Sequence, residues 1–151
     1  MTLGSGNMQL AVELPAGEDL NEWFDLDSES PYMLLAGKVK EDKLIEQTPD
    51  QKSAKGLEKL NIIRSKIPAV THVDNSARIQ TVTAENGIYY DLIKLFKKKT
   101  GCPVIVNTSF NVRGETIICA PTDPFRCFMG TELDIITIGN YLLIKVSKTK
   151  I

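Results

Sequence analysis

Metal-binding and redox residues are scarce in this chain: three cysteines and one histidine in 151 residues. Cys102, Cys119 and Cys127 show no C-x-x-C spacing and His72 stands alone, so a zinc site of the Cys/His kind lacks ligands, and no metal site is expected. An odd number of cysteines also argues against a disulfide framework. All three sit among apolar neighbours and read as buried reduced thiols, which suits a reducing cytoplasm. No apolar run reaches the ~20 residues that span a bilayer, and no charged segment precedes a short apolar stretch as in a secretion signal. A dominant charge is missing too. Eighteen Lys and Arg against 19 Asp and Glu leave a net charge of -1, with no global attraction for nucleic acid or an anionic membrane.

What is present is ordinary globular material, 42% hydrophobic and 25% charged. Met1 to Asn7 (MTLGSGN) reads as an expression leader, and residues 8–151 as a single domain. A chain of this size buries roughly 68–70% of its unfolded surface, which supports a core without staples.

Periodicity predicts a short amphipathic helix over Glu18 to Phe24 and a buried strand over Pro31 to Ala36. Residues 38–66 are charged and weakly periodic, and read as a mobile or inserted segment with a helix at most around Ala54 to Ile63. Two strands, Ala69 to Val73 and Ala77 to Val82, flank turn residues Asp74 to Ser76. The clearest helix is Asn86 to Lys99, with Asn86 able to cap it, Lys97, Lys98 and Lys99 at the negative end of its dipole, and Gly101 and Pro103 as stops. Pro103 to Val106 reads as a strand buried on both faces and Thr116 to Cys119 as another. Pro121 to Met129 reads as a helix with Phe125 and Phe128 inward. Asp134 to Ile138 and Tyr141 to Val146 form a hairpin around Gly139-Asn140. Ser147 to Ile151 is a polar tail. Helices alternating with strands argue for an α/β (α+β) mixed sheet.

The chemistry concentrates in Asn107 to Glu115 (NTSFNVRGE). Ligands of open α/β sheets bind beyond the carboxyl ends of strands, and successive backbone N–H groups in a tight turn make an anion-binding concavity. Thr108 and Ser109 can donate to phosphate oxygens. Asn107 and Asn111 can bind ligand or tie the turn. Arg113 offers a planar fork for phosphate or carboxylate, unless Glu115 takes it. Gly114 allows close backbone approach. The competing reading is a turn whose side chains satisfy only local backbone groups; it is the better reading for Asn107 alone, whereas the cluster has more donors than a turn needs. Arg78 is a second cationic candidate on an alternating strand. His72 reads first as a core histidine and Asp74 as a turn former.

These stretches resemble the C-terminal domain of the carbamoyltransferase family that includes nodulation-factor and antibiotic-tailoring O-carbamoyltransferases. The residues carrying the resemblance are Glu22-Trp23-Phe24, Ser30-Pro31-Tyr32-Met33, IPAVTHVDNSARIQTV over Ile67 to Val82, TGCPVIVNTSFNVRGETIICAPTDPFRCF over Thr100 to Phe128, and Asp134 to Tyr141. The resemblance implies a YrdC-like fold, a twisted mixed sheet with flanking helices around a cleft. It implies a domain that takes carbamoyl phosphate and ATP with Mg2+ and forms a carbamoyl-adenylate, releasing pyrophosphate. A sugar-kinase-like N-terminal domain, which carries the family's iron, then passes the carbamoyl group to an acceptor hydroxyl. On this resemblance Arg78 and Ser109 are the catalytic candidates, Arg78 holding phosphate. Asn107, Thr108, Asn111, Arg113 and His72 would line the carbamoyl-phosphate and nucleotide pocket.

The chain departs from the family at its front. A Lys/Arg-rich entry is expected there, and Met8 to Gly17 (MQLAVELPAG) has neither residue. The departure implies a chain truncated N-terminally inside the domain and inactive alone. Two other readings stay open: a non-catalytic docking or regulatory module, marked by exposed Ala11, Val12 and Leu14, and an RNA-binding YrdC-like domain, which the near-zero charge disfavours.

Overall fold

The computed structural model describes residues 10–112 and 114–146. The leader Met1 to Asn7, the tail Ser147 to Ile151 and Arg113 lie outside the described residues. The chain divides into two compact units, one ending at Thr108 and one beginning at Ser109.

The first unit is built on a five-stranded sheet. Its strands are β1 (Ala11–Pro15), β2 (Phe24–Asp25), β3 (Leu35–Val39), β4 (Ser76–Val82) and β5 (Ile105–Asn107), in the order β2-β3-β4-β1-β5. β1 runs parallel to β4 and antiparallel to β5, and β3 is antiparallel to both β2 and β4. The sheet is therefore mixed, and with its helices it gives the expected α/β class.

β1 is an interior strand between β4 and β5, and AVELP places Val12 and Leu14 on one face at period two. Ala11, Val12 and Leu14 are fully buried. Exposure of these residues would have favoured the docking reading; their burial removes that surface. Val12 and Leu14 join Ala77, Ile79, Val39 and Val104 in the main core. Helix α1 (Glu18–Trp23) delivers Leu20 and Trp23 to that core, and Phe24 follows at its end. Gly37 on β3 has no room for a side chain: a Cβ there would meet Ile79 Cδ1 at 2.9 Å and Leu26 Cβ at 3.2 Å.

Several element boundaries differ from the periodic reading. The buried strand expected over Pro31 to Ala36 lies further along, at β3, and Tyr32 and Leu34 are each 81% exposed. Ala69 to Val73 is not a strand. Its polar neighbours close a turn instead, with the Asn75 N–H donating to the His72 carbonyl at 3.0 Å and the His72 N–H to the Ser76 carbonyl at 2.7 Å. Asn86 caps the short 3-10 turn Ala84–Asn86 through Thr83; the helix proper, α3 (Ile88–Thr100), starts after Gly87 and ends at Gly101 with φ 77°. Lys97 does more than answer the dipole, since its Nζ donates to Asp19 Oδ1 at 2.5 Å. β5 is an edge strand, with Val106 43% exposed, rather than one buried on both faces.

Residues 38–66 hold the end of β3, a 3-10 turn at Glu41–Lys43, helix α2 (Pro49–Ser53) with a Thr48/Gln51 capping box, and a 3-10 stretch at Gly56–Asn61. An antiparallel bridge between Leu44 and Ser65 closes the base of this excursion. Buried Arg64 donates to the carbonyls of Ile62 and Lys59.

The second unit contains α4 (Thr122–Gly130) and the hairpin β6 (Ile135–Ile138) and β7 (Tyr141–Ile144), turning at Gly139 with φ 55°. Thr116 to Cys119 forms no strand, and Cys119 is exposed rather than buried. α4 buries Pro124, Cys127 and Phe128, while Phe125 is 49% exposed. Asp123 Oδ2 accepts the backbone N–H groups of Cys119 at 3.0 Å and Ala120 at 2.9 Å, which tie the chain entering the helix. Those two N–H groups hold the Asp123 carboxyl below the usual carboxylate range.

Candidate functional site: the polar face of the sheet

In β4 the sequence SARIQTV alternates. Ala77 and Ile79 point to the core, and Ser76, Arg78 and Gln80 to the opposite face, where they are half-buried. The same alternation puts Glu13 of β1 and Asn107 of β5 on that polar face. Val12 pairs with Ile79 and Ala11 with Asn107, so Arg78, Ala11 and Asn107 fall in one row across three strands. Two strand spacings, about 10 Å, separate the Arg78 and Asn107 backbones.

Asn107 does not serve its local backbone. Its Nδ2 donates to Glu13 Oε1 at 2.6 Å, 94 residues away in sequence. Glu13 is 6% exposed, and burial raises its carboxyl pKa above the ordinary value while the Asn107 hydrogen bond opposes the rise. The pair thus fixes the carboxyl end of β5, from which the NTSFN segment departs. Arg78 Nη2 donates to Met33 Sδ at 3.4 Å.

At the amino end of β4 lies an exposed polar cluster. His72 Nδ1 is 2.9 Å from Ser76 Oγ, so His72 is a surface turn residue and not a core histidine. Asp74 is the expected turn former. Its Oδ1 accepts the Ser76 hydroxyl at 2.7 Å and backbone N–H at 3.0 Å, and its Oδ2 accepts Lys38 Nζ at 3.0 Å. The Ser76 hydroxyl first, then its N–H and Lys38, hold the Asp74 carboxyl well below the usual range.

Past β5, Thr108 is half-buried and Ser109 exposed. In the second unit Asn111 ties its own turn, with Nδ2 donating to the Glu115 carbonyl at 3.0 Å and the Val112 carbonyl at 3.4 Å. Its Oδ1 is buried and accepts no hydrogen bond among the described residues. Gly114 has φ 90°, and the Glu115 N–H donates to the Val112 carbonyl at 3.0 Å. A cavity of about 230 Å³ in this unit is lined by Glu115, Thr116, Ile118, Asp123 and Arg126. Among the described residues no group of His, Cys, Asp and Glu could hold a metal, and no helix is long and apolar enough to cross a membrane.

Residues 11–145 match the family model described as Carbamoyltransferase C-terminus. The chain belongs to the carbamoyltransferase C-terminal family. It is 52% identical over 132 residues to an uncharacterized protein of Synechocystis sp., covering 87% of this chain and 22% of that protein. It is 38% identical to nodulation protein NolNO of Sinorhizobium fredii, covering 85% of this chain and 16% of that protein. It is 32% identical to a 3'-hydroxymethylcephem-O-carbamoyltransferase of Streptomyces clavuligerus, covering 82% of this chain and 20% of that protein. The chain thus spans about a fifth of the curated relatives it matches.

Within this carbamoyltransferase C-terminal domain, sequence reasoning missed Glu13 and Met33. Glu13 carried a readable signal, a lone carboxylate between Val12 and Leu14 in an apolar strand, which period-two alternation sends to the face away from the core. Met33 entered only as part of the Ser30-Pro31-Tyr32-Met33 stretch, because its contact depends on the chain path between β2 and β3.

Proposed function

We propose that this domain supplies the carbamoyl-phosphate and ATP side of an O-carbamoyltransferase, forming a carbamoyl-adenylate whose carbamoyl group a separate N-terminal domain transfers to an acceptor hydroxyl. The observation that carries the reading is the row of Arg78 and Asn107 on one face of the sheet. Phosphoryl and adenylyl chemistry asks a protein mainly for positioned cations and hydrogen-bond donors. Arg78 supplies the charge and the fork that suits phosphate oxygens. Thr108 supplies a hydroxyl donor, and Asn107, held by Glu13, fixes the strand end that presents it; Ser109 would add a second hydroxyl. His72 stands at the amino end of the same strand as Arg78. Asn111 shapes its loop, and Arg113 would add a second fork.

ATP would supply the adenylyl group, with Mg2+ carried on its phosphates. The free thiols Cys102, Cys119 and Cys127 suit a cytoplasmic setting.

Calorimetric titration tests the reading. Saturable binding of carbamoyl phosphate or Mg–ATP is expected, by this chain or by a longer protein that adds a basic segment ahead of it. Heat indistinguishable from dilution for both ligands, in both proteins, would sink it.

A further inference from the structure

A strap from Ser30 to Leu35 runs beside β4 and is anchored at several points. The Thr81 N–H donates to the Ser30 carbonyl at 3.0 Å, and the Ser30 N–H returns to Thr81 Oγ1 at 2.9 Å. The Leu35 N–H donates to Ser30 Oγ at 3.3 Å as the chain enters β3. Gln80 Nε2 donates to the Pro31 carbonyl at 3.0 Å, and the Met33 N–H to the Ser30 carbonyl at 3.4 Å. Between these anchors Met33 has φ 58°, in the left-handed region that a non-glycine residue occupies only when its surroundings force it. Asn75, the other described non-glycine residue with positive φ, is of a type that tolerates this region. Methionine has no such excuse.

The outcome of this forced conformation is specific: the half-buried Met33 side chain places Sδ 3.4 Å from Arg78 Nη2. A thioether sulphur is a weak acceptor. A phosphate oxygen is a much stronger partner for a guanidinium. The sulphur can therefore orient Nη2 and still give it up to an anion.

We infer that Met33 is a positioning residue for Arg78: the strap sets its thioether against Nη2 and holds the guanidinium ready until a phosphate oxygen takes the place of the sulphur. The inference rests on the reading of Arg78 as a phosphate-binding residue. It assigns the strap a part in aiming the cation, and a side chain there that is apolar yet polarizable does so without competing strongly with the ligand.

Carbamoyl phosphate binding by calorimetry, with melting temperature in parallel, tests the inference on the unaltered chain, Met33→Ala, Arg78→Ala and the double variant. Met33→Ala should weaken binding ~3- to 10-fold, and Arg78→Ala should weaken it more. In the Arg78→Ala background, Met33→Ala should cost nothing further, because its effect passes through the guanidinium. Met33→Gly should weaken binding like Met33→Ala without lowering the melting temperature, since glycine accepts positive φ freely. Met33→Ala costing the same factor with and without Arg78, or leaving binding unchanged, overturns the inference alone. Arg78→Ala leaving binding unchanged, or no binding by the unaltered chain and by a longer protein alike, overturns the phosphate reading of Arg78 and the inference with it.

Discussion

The two faces of the five-stranded sheet use the same strands for different ends. On one face Val12, Leu14, Ala77 and Ile79 are fully buried and continuous with Trp23 and Phe24. On the other, Glu13, Arg78, Gln80 and Asn107 are joined by hydrogen bonds to one another or to the strap. The apolar face holds the fold by burial, worth about 25 cal/mol per Å², and tolerates no added volume near Gly37. The polar face carries desolvated groups that contribute little net stability but hold fixed orientations. Alternation lets one seven-residue strand, SARIQTV, serve both.

The largest effect should come from the apolar face. Leu14→Ala should cost ~2–5 kcal/mol in urea denaturation while the protein that remains folded keeps its ligand affinity. Gly37→Ala should destabilise by ~1–3 kcal/mol, because the new methyl meets Leu26 and Ile79 in a closed core. A cost near zero would mean that β3 moves freely, against the partition of the two faces. Arg78→Ala should weaken carbamoyl phosphate binding by ~1–3 kcal/mol with its melting temperature little changed. The reverse, a lower melting temperature with intact affinity, would make Arg78 part of the fold.

The smallest and sharpest test is Glu13→Gln, which keeps an acceptor for Asn107. Burial raises the Glu13 pKa above its ordinary value of 4.5. The protonated carboxyl is thus the form the fold prefers, and its contribution is fully present below pH 4.5 and lost as pH rises through the folded pKa. Unfolding free energies measured from acid to neutral pH should show Glu13→Gln gaining on the unaltered chain as pH rises, then running level. A constant difference would contradict a perturbed carboxyl.

Much of the fold was legible because alternation is a local property. β4 followed from period two, the terminal hairpin from its Gly139-Asn140 turn, and α3 from its three-and-four spacing. The errors have local causes of another kind. Ala69 to Val73 has strand composition, yet His72 and Asp74 commit it to a turn through Ser76. Thr116 to Cys119 is equally apolar and finds no ladder partner among the described residues. β1 escaped notice because five residues ending in proline look like a poor strand until two neighbours pair with it. At the site, the donor-rich run from Asn107 was visible at once, but Asn107's partner was not: Glu13 lies 94 residues earlier, and only strand order brings them together.

The sequence by itself determined the family, the mixed α/β class and which face of β4 is apolar, because these depend on residue type and spacing along the chain. The tertiary structure decided that β1 lies inside the sheet between β4 and β5, that Asn107 answers Glu13, and that Met33 meets Arg78. Those facts depend on strand order and register, which link residues tens of positions apart and leave no periodic trace in the sequence.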